Sequence, residues 1–121
     1  MADTNARIGF VGVGRMGANM ARRLKELGYR IAAIQDRQAS ASQSLAHELD
    51  SEAATSPARV AELSDIVITV VSDDAAMRDI YSEMDSTSLM AHAKDRLFIN
   101  CATVSPALHI EIEQPVERRG G

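Results

Sequence analysis

The sequence predicts an α/β fold, a doubly wound and mainly parallel sheet forming one domain over residues 1–121. Three observations carry that expectation. Short β-branched runs alternate with segments whose apolar residues recur at helical spacing, five of each along the chain. A glycine triplet marks the first strand-to-helix corner. Ile66-Val67-Ile68-Thr69-Val70-Val71 is almost continuously β-branched, as a strand covered on both faces in the middle of a parallel sheet should be. Right-handed crossovers between parallel strands then give the doubly wound order.

Taken in order, Ile8, Phe10 and Val11 supply the first strand. Gly12, Val13, Gly14, Arg15, Met16 and Gly17 turn it into a helix whose apolar face is expected from Met16, Met20, Leu24 and Leu27. At such a corner the first glycine permits the tight turn and the second lets a pyrophosphate approach the backbone. The third lets helix and strand pack closely, with the helix N-terminus facing the anion. A structural glycine corner is the alternative. Gly28 stands at a C-terminal cap, and residues 29–34 form the second strand. Asp36 follows Gly17 by 19 residues, close to the roughly 20 at which an acid grips the adenosine ribose of NAD. Arg37 beside it could hold the 2′-phosphate of NADP instead, or the two could form a solvated pair in a surface turn.

Residues 39–49 form a short surface helix with Leu45, Ala46 and Leu49 on one side, and Ala53-Ala54 a stunted third strand. Ser56-Pro57 starts a helix that runs to about Leu63, before the strand at 66–71. Ser72-Asp73-Asp74 caps a further helix with apolar Ala76, Met77, Ile80, Tyr81 and Met84. Ligands of open α/β sheets lie outside the carboxyl ends of the strands, which places Val71 and Ser72 against a cofactor. Residues 86–95 give conflicting signals and are an irregular or partly helical connection. Residues 97–100 are the fifth strand, and Ser105-Pro106 opens a last helix that Pro115 bends or ends.

Composition excludes several classes. A net charge of −4 and a pI near 5.3 offer no basic field for nucleic acid or an anionic membrane. Apolar runs reach at most six residues, against the roughly 20 that span a bilayer. The first five residues lack a signal-peptide pattern, so the cytosol is the expected location. The single cysteine, Cys101, is expected as a core thiol at a strand end, and His47, His92 and His109 are scattered, so no metal site is predicted.

With these blocks placed, the chain resembles over nearly its whole length the N-terminal domain of the β-hydroxyacid dehydrogenases. That family contains 3-hydroxyisobutyrate and 6-phosphogluconate dehydrogenases and is related to imine reductases. Gly12-Val13-Gly14-Arg15-Met16-Gly17 with Met20, Ala21 and Leu24 is similar to its G-x-G-x-M-G-x-x-M-A-x-x-L signature. Residues 64–69 and 72–76 resemble its next block, and Asn100-Cys101-Ala102-Thr103-Val104-Ser105-Pro106 resembles its D-x-S-T-x-S-P segment. The resemblance implies a Rossmann-type domain that binds NAD or NADP and, in complete relatives, moves hydride to or from a hydroxy acid, carbonyl or imine. The nicotinamide end would pass Val71 and Ser72 toward Thr103.

Departures from the pattern bear on function. Asn100 stands where the family has Asp, and Ala102 where it has Ser or Gly. Aligned on Gly28, the positions that select the cofactor hold Gln35 and Asp36, with Arg37 one place late, which favours NAD. The chain ends where the family's sixth strand begins, so a truncated sheet without the all-helical second domain is expected. The family's proton-transferring lysine lies in that second domain, and neither Lys25 nor Lys94 matches its motif, so no catalytic residue is assigned. Two classes of function follow: the cofactor-binding part of an oxidoreductase, incomplete as a catalyst alone, or a non-catalytic dinucleotide-sensing or interaction module. An exposed sheet edge would invite homo-oligomerisation or, in an unstable gene product, aggregation.

Overall fold

A computed structural model describes residues 6–70, 78, 80, 81, 89 and 96–100 of the chain. The expectations for Val71, Ser72, Cys101, Ala102 and Thr103, for His92, His109 and Lys94, and for the helix at Ser105-Pro106 lie outside the described residues. Of the helix expected after Ser72, Arg78 and Ile80 are described and are helical.

The elements run β1 (Arg7–Val11), α1 (Gly14–Glu26), β2 (Arg30–Gln35), α2 (Ala39–Leu49), β3 (Glu52–Ala53), α3 (Pro57–Leu63), β4 (Ile66–Thr69) and β5 (Leu97–Asn100). The five strands make one sheet in the order β3-β2-β1-β4-β5, and every pair is parallel. The chain therefore winds outward from β1 to β3, crosses back, and continues from β4. Ligands of such sheets bind where the winding direction reverses, beyond the carboxyl ends of β1 and β4.

Each face of the sheet has its own core. Ile8, Phe10, Ile31, Ile34 and Ile68 pack with Ala21 of α1 and with Leu45, Ala46 and Leu49 of α2. Val11, Ala33 and Val67 pack on the opposite face with Val60 and Ala61 of α3, Tyr81 and Leu89. Ile31 and Ile34 share a face although strict alternation would separate them. The β1–β2 register jumps from Ile8↔Ile31 to Gly9↔Ala33, so the extra residue Ala32 resets the phase. Burial of β4 on both faces, with Val67 in one core and Ile68 in the other, is as the β-branched run predicts.

Local chemistry fixes the boundaries. The end of α1 is a Schellman closure: the Tyr29 N–H donates to the Leu24 carbonyl at 3.0 Å and the Gly28 N–H to the Lys25 carbonyl at 3.1 Å. Tyr29 and Leu24 both pack on the core beside it. Ser56 Oγ accepts from the Arg59 N–H at 3.3 Å, which makes it the N-cap of α3 with proline in the first turn.

Three expectations are corrected. Met16 and Leu27, assigned to the apolar face of α1, are 54% and 52% exposed. At 100° per residue they lie about 140° and 120° around the helix from the buried Ala21, beyond the stripe formed with Ala18 and Leu24. β3 is Glu52–Ala53 rather than Ala53-Ala54, and Ala54 instead donates its N–H to the Ile34 carbonyl at 2.8 Å. β2 lies one residue later than expected, at Arg30–Gln35.

At the amino end of the sheet Asp65 ties β1 to β4. Its carboxylate accepts from the Arg7 N–H at 2.9 Å and from Arg7 Nε and Nη2 at 3.3 and 3.1 Å, while its own N–H donates to the Arg7 carbonyl at 2.8 Å. Hydrogen bonds from the Arg7 side chain and then from its backbone hold the Asp65 carboxyl below the usual carboxylate range, against a smaller opposing effect of burial. A folded-state pKa below the unfolded one adds stability above the unfolded value of roughly 4, and that stability is lost as pH falls through the folded value. Asp65→Asn should therefore unfold at lower urea than the parent at neutral pH, with the gap closing below about pH 4. The two side chains are 41% and 49% exposed, so the gap should stay near 1 kcal/mol or less. A gap that persists unchanged at pH 3 would show that packing, not charge, sets it.

Candidate dinucleotide site

The carboxyl end of β1 opens into a turn in which Gly12 has φ 74° and Gly14 φ 50°. Both values lie in the left-handed region that glycine enters without a Cβ clash. A Cβ at Gly14 would meet nothing within 4 Å, so that position faces open space and leaves the backbone accessible. Gly17 serves packing instead. A Cβ there would lie 3.3 Å from the Gly12 carbonyl oxygen and 3.4 Å from Val70, pressing α1 away from the turn.

Two bonds tie the turn to the end of β2. The Gly12 N–H donates to the Gln35 carbonyl at 2.8 Å, and the Val13 N–H donates to Asp36 Oδ2 at 2.8 Å. The other carboxylate oxygen, Oδ1, accepts from the Gln38 N–H at 2.9 Å. Asp36 thus clamps the glycine turn and the start of the β2–α2 connection at once. Each carboxylate oxygen has two acceptor sites, so Asp36 keeps capacity for two further donors. Arg37 is exposed on the turn that follows.

The first turn of α1 begins at this clamp. Its N-cap, Val13, makes no side-chain cap, and no acidic residue lies in the turn. The N–H groups there carry the positive end of the helix dipole without an anionic side chain from within the turn. Met16 projects from the same turn, largely exposed. The end of β4 closes the other side, with the Val70 N–H donating to the Val11 carbonyl at 3.0 Å. Gly12, Val13, Gly14, Met16, Gly17 and Asp36 are thereby brought together at the switch point of the sheet, with the Arg15 backbone inside the same turn.

The family profile described as the NAD binding domain of 6-phosphogluconate dehydrogenase matches residues 7–121. The chain belongs to that family. Mitochondrial 3-hydroxyisobutyrate dehydrogenase of Drosophila melanogaster is 35% identical over 116 residues, which cover 93% of this chain and 33% of that protein. The Mycobacterium tuberculosis 3-hydroxyisobutyrate dehydrogenase, solved with L-serine, superposes with a TM-score of 0.79 at 29% identity, over 96% of this chain and 38% of that one. The imine reductase of Myxococcus stipitatus, solved with NADP+, gives a TM-score of 0.79 at 21% identity, over 94% of this chain and 38% of that one. Its V8 variant, solved with NAD+, gives 0.82 at 22% over 96% and 38%; at these identities the likeness is one of fold. The chain spans about a third of the length of the curated relatives it matches.

A dinucleotide-binding Rossmann-type domain, as the glycine turn predicts, is thus what the family match gives. Among the described residues no three His, Cys, Asp or Glu side chains gather as a metal site, and no helix is long and apolar enough to cross a membrane. Two of the contacts that escaped the sequence involve β1 and the turn that follows it. One is the Asp36–Val13 clamp, which joins residues 23 apart. The other is the role of Gly9, whose added Cβ would lie 2.2 Å from Ser64 Oγ and 2.4 Å from Val60 Cγ1 of α3. A glycine within a strand is itself a signal of close approach.

Proposed function

We propose that this chain is the cofactor-holding part of a hydride-transferring oxidoreductase acting on a small hydroxy acid, carbonyl or imine, with NAD favoured over NADP. The Asp36 clamp carries this proposal, because it fixes a carboxylate beside an open glycine turn and a helix N-terminus. The bound nicotinamide would supply the hydride. The backbone of Gly12, Val13, Gly14, Arg15, Met16 and Gly17 would hold the pyrophosphate. Asp36 would accept from the ribose hydroxyls through the lone pairs its backbone donors leave free, whereas a 2′-phosphate would bring negative charge against it with no proton to donate. Arg37 is the residue that would oppose this preference. Val71, Ser72 and Thr103 keep their proposed place along the nicotinamide end on the resemblance of their motifs alone. The relatives' length, about three times that of this chain, agrees with a proton-transferring group outside it.

Titration of the chain with NADH and NADPH, followed by fluorescence, tests the proposal. Saturable binding with NADH the tighter ligand is expected. Silence with both would overturn the function, and tighter NADPH would overturn the preference alone. Self-association through β5 is proposed on the same footing. Among the described residues this strand ends the sheet, with Leu97 57% and Ile99 40% exposed, and sedimentation velocity over a concentration series reads it directly.

A further inference from the structure

A groove of about 170 Å³ runs between α1 and α2, outward from the glycine turn. Small residues keep it open, with Val13 and Gly14 at its rim and Ala18 and Ser44 along its walls. Across its far end the two helices are joined by an ion pair, in which Arg22 Nε and Nη2 donate to Glu48 Oε2 and Oε1 at 2.6 and 3.0 Å. Arg22 Nη1 donates to Asn19 Oδ1 at 3.2 Å. The rim residue Val13 is the one whose N–H Asp36 holds, so the groove opens where the 2′ position of an adenosine ribose would lie.

We propose that Glu48 is a specificity-determining residue for the cofactor, because it holds the Arg22 guanidinium at the far end of this groove and keeps it from the 2′-phosphate that distinguishes NADP from NAD. The inference rests on the dinucleotide function proposed above and adds a residue on α2 to the choice made by Asp36. The fork that Glu48 occupies, Nε with one N–H of Nη2, is the one whose geometry suits a phosphate. Arg22 lies about 12 Å of helical rise below Gly14, and side chains on a helix lean back toward its N-terminus. Released, the guanidinium would move up the groove toward the rim. The Arg22 side chain holds the Glu48 carboxyl below its usual range, so it is charged at neutral pH.

Glu48→Ala should fold. The pair is 45% and 48% exposed, and an acidic side chain near the C-terminus of α2 opposes the helix dipole. Glu26→Ala is the control. It removes one carboxylate from an arginine pair as well, that of Arg23 on the exposed side of α1. In fluorescence titrations of the full chain, Glu48→Ala should bind NADPH about tenfold more tightly than the parent does, with NADH moved less than twofold. Glu26→Ala should move neither. Arg22→Ala combined with Glu48→Ala should lose most of the gain. An unchanged NADPH affinity in Glu48→Ala, an equal gain in Glu26→Ala, or a parallel rise for NADH would overturn the inference while NADH binding by the parent upheld the function. Absence of binding by the parent would overturn both.

Discussion

Gly9→Ala is expected to lower the unfolding free energy of the chain by about 3 kcal/mol. A Cβ at this position would sit 2.2 Å from Ser64 Oγ and 2.4 Å from Val60 Cγ1. Neither neighbour is free to turn aside. Val60 is fully buried in the core under β1, and Ser64 is the buried C-cap of α3. The methyl therefore has to push α3 off the sheet, which separates the apolar groups of a whole core. Urea unfolding should show a lower midpoint with an unchanged slope. Ser64→Ala alone should be neutral or stabilising, because the Ser64 hydroxyl is buried with no hydrogen-bond partner among the described residues. The double variant should recover part of the Gly9→Ala loss, since it removes the 2.2 Å contact and leaves that with Val60. A Gly9→Ala loss under about 0.5 kcal/mol would mean that α3 shifts freely and that Gly9 is not required there.

Gly9 also marks where sequence ceases to be informative. The elements named most closely from sequence were those written in local chemistry. Ser56 and Pro57 set the start of α3, Gly28 the end of α1, and Leu45, Ala46 and Leu49 the buried side of α2. Each depends on residues within a turn or two of one another. Periodicity served less well for α1, where Met16 and Leu27 continue an apolar series whose outer members rotate into solvent. In β2 one extra residue resets the facing of Ile34, which strict alternation would turn to the other side. In the candidate site, the glycines and Asp36 were legible as residue types at family spacing. The bond from the Val13 N–H to Asp36, the approach of α3 to Gly9 and the pairing of Arg22 with Glu48 were not. These join distant parts of the chain, and only the strand order fixes which of them meet.

Asp36→Ala should weaken NADH binding by at least thirtyfold, which corresponds to about 2 kcal/mol. Two losses combine in that figure. The ribose would lose its charged acceptor, and hydrogen bonds to charged groups contribute roughly 1.5–3 kcal/mol. The Val13 and Gln38 N–H groups would also lose the carboxylate that holds them at 2.8 and 2.9 Å, and the glycine turn would lose its tie to the β2–α2 connection. The second loss is present without cofactor, so the ligand-free variant should unfold at lower urea than the parent by about 1 kcal/mol. Asp36→Asn should not restore either property, because its amide offers one acceptor oxygen where two backbone N–H groups now converge on two. NADPH binding should suffer less than NADH binding in both variants, since the repulsion between Asp36 and a 2′-phosphate disappears with the charge. The two roles separate by experiment. Unchanged NADH affinity with lowered stability would leave Asp36 as a clamp that does not touch the ribose. Unchanged stability with lost affinity would make it a cofactor ligand whose backbone bonds are replaceable by water. A loss of both, larger for NADH than for NADPH, is the result that one carboxylate holding the turn and the ribose together must produce.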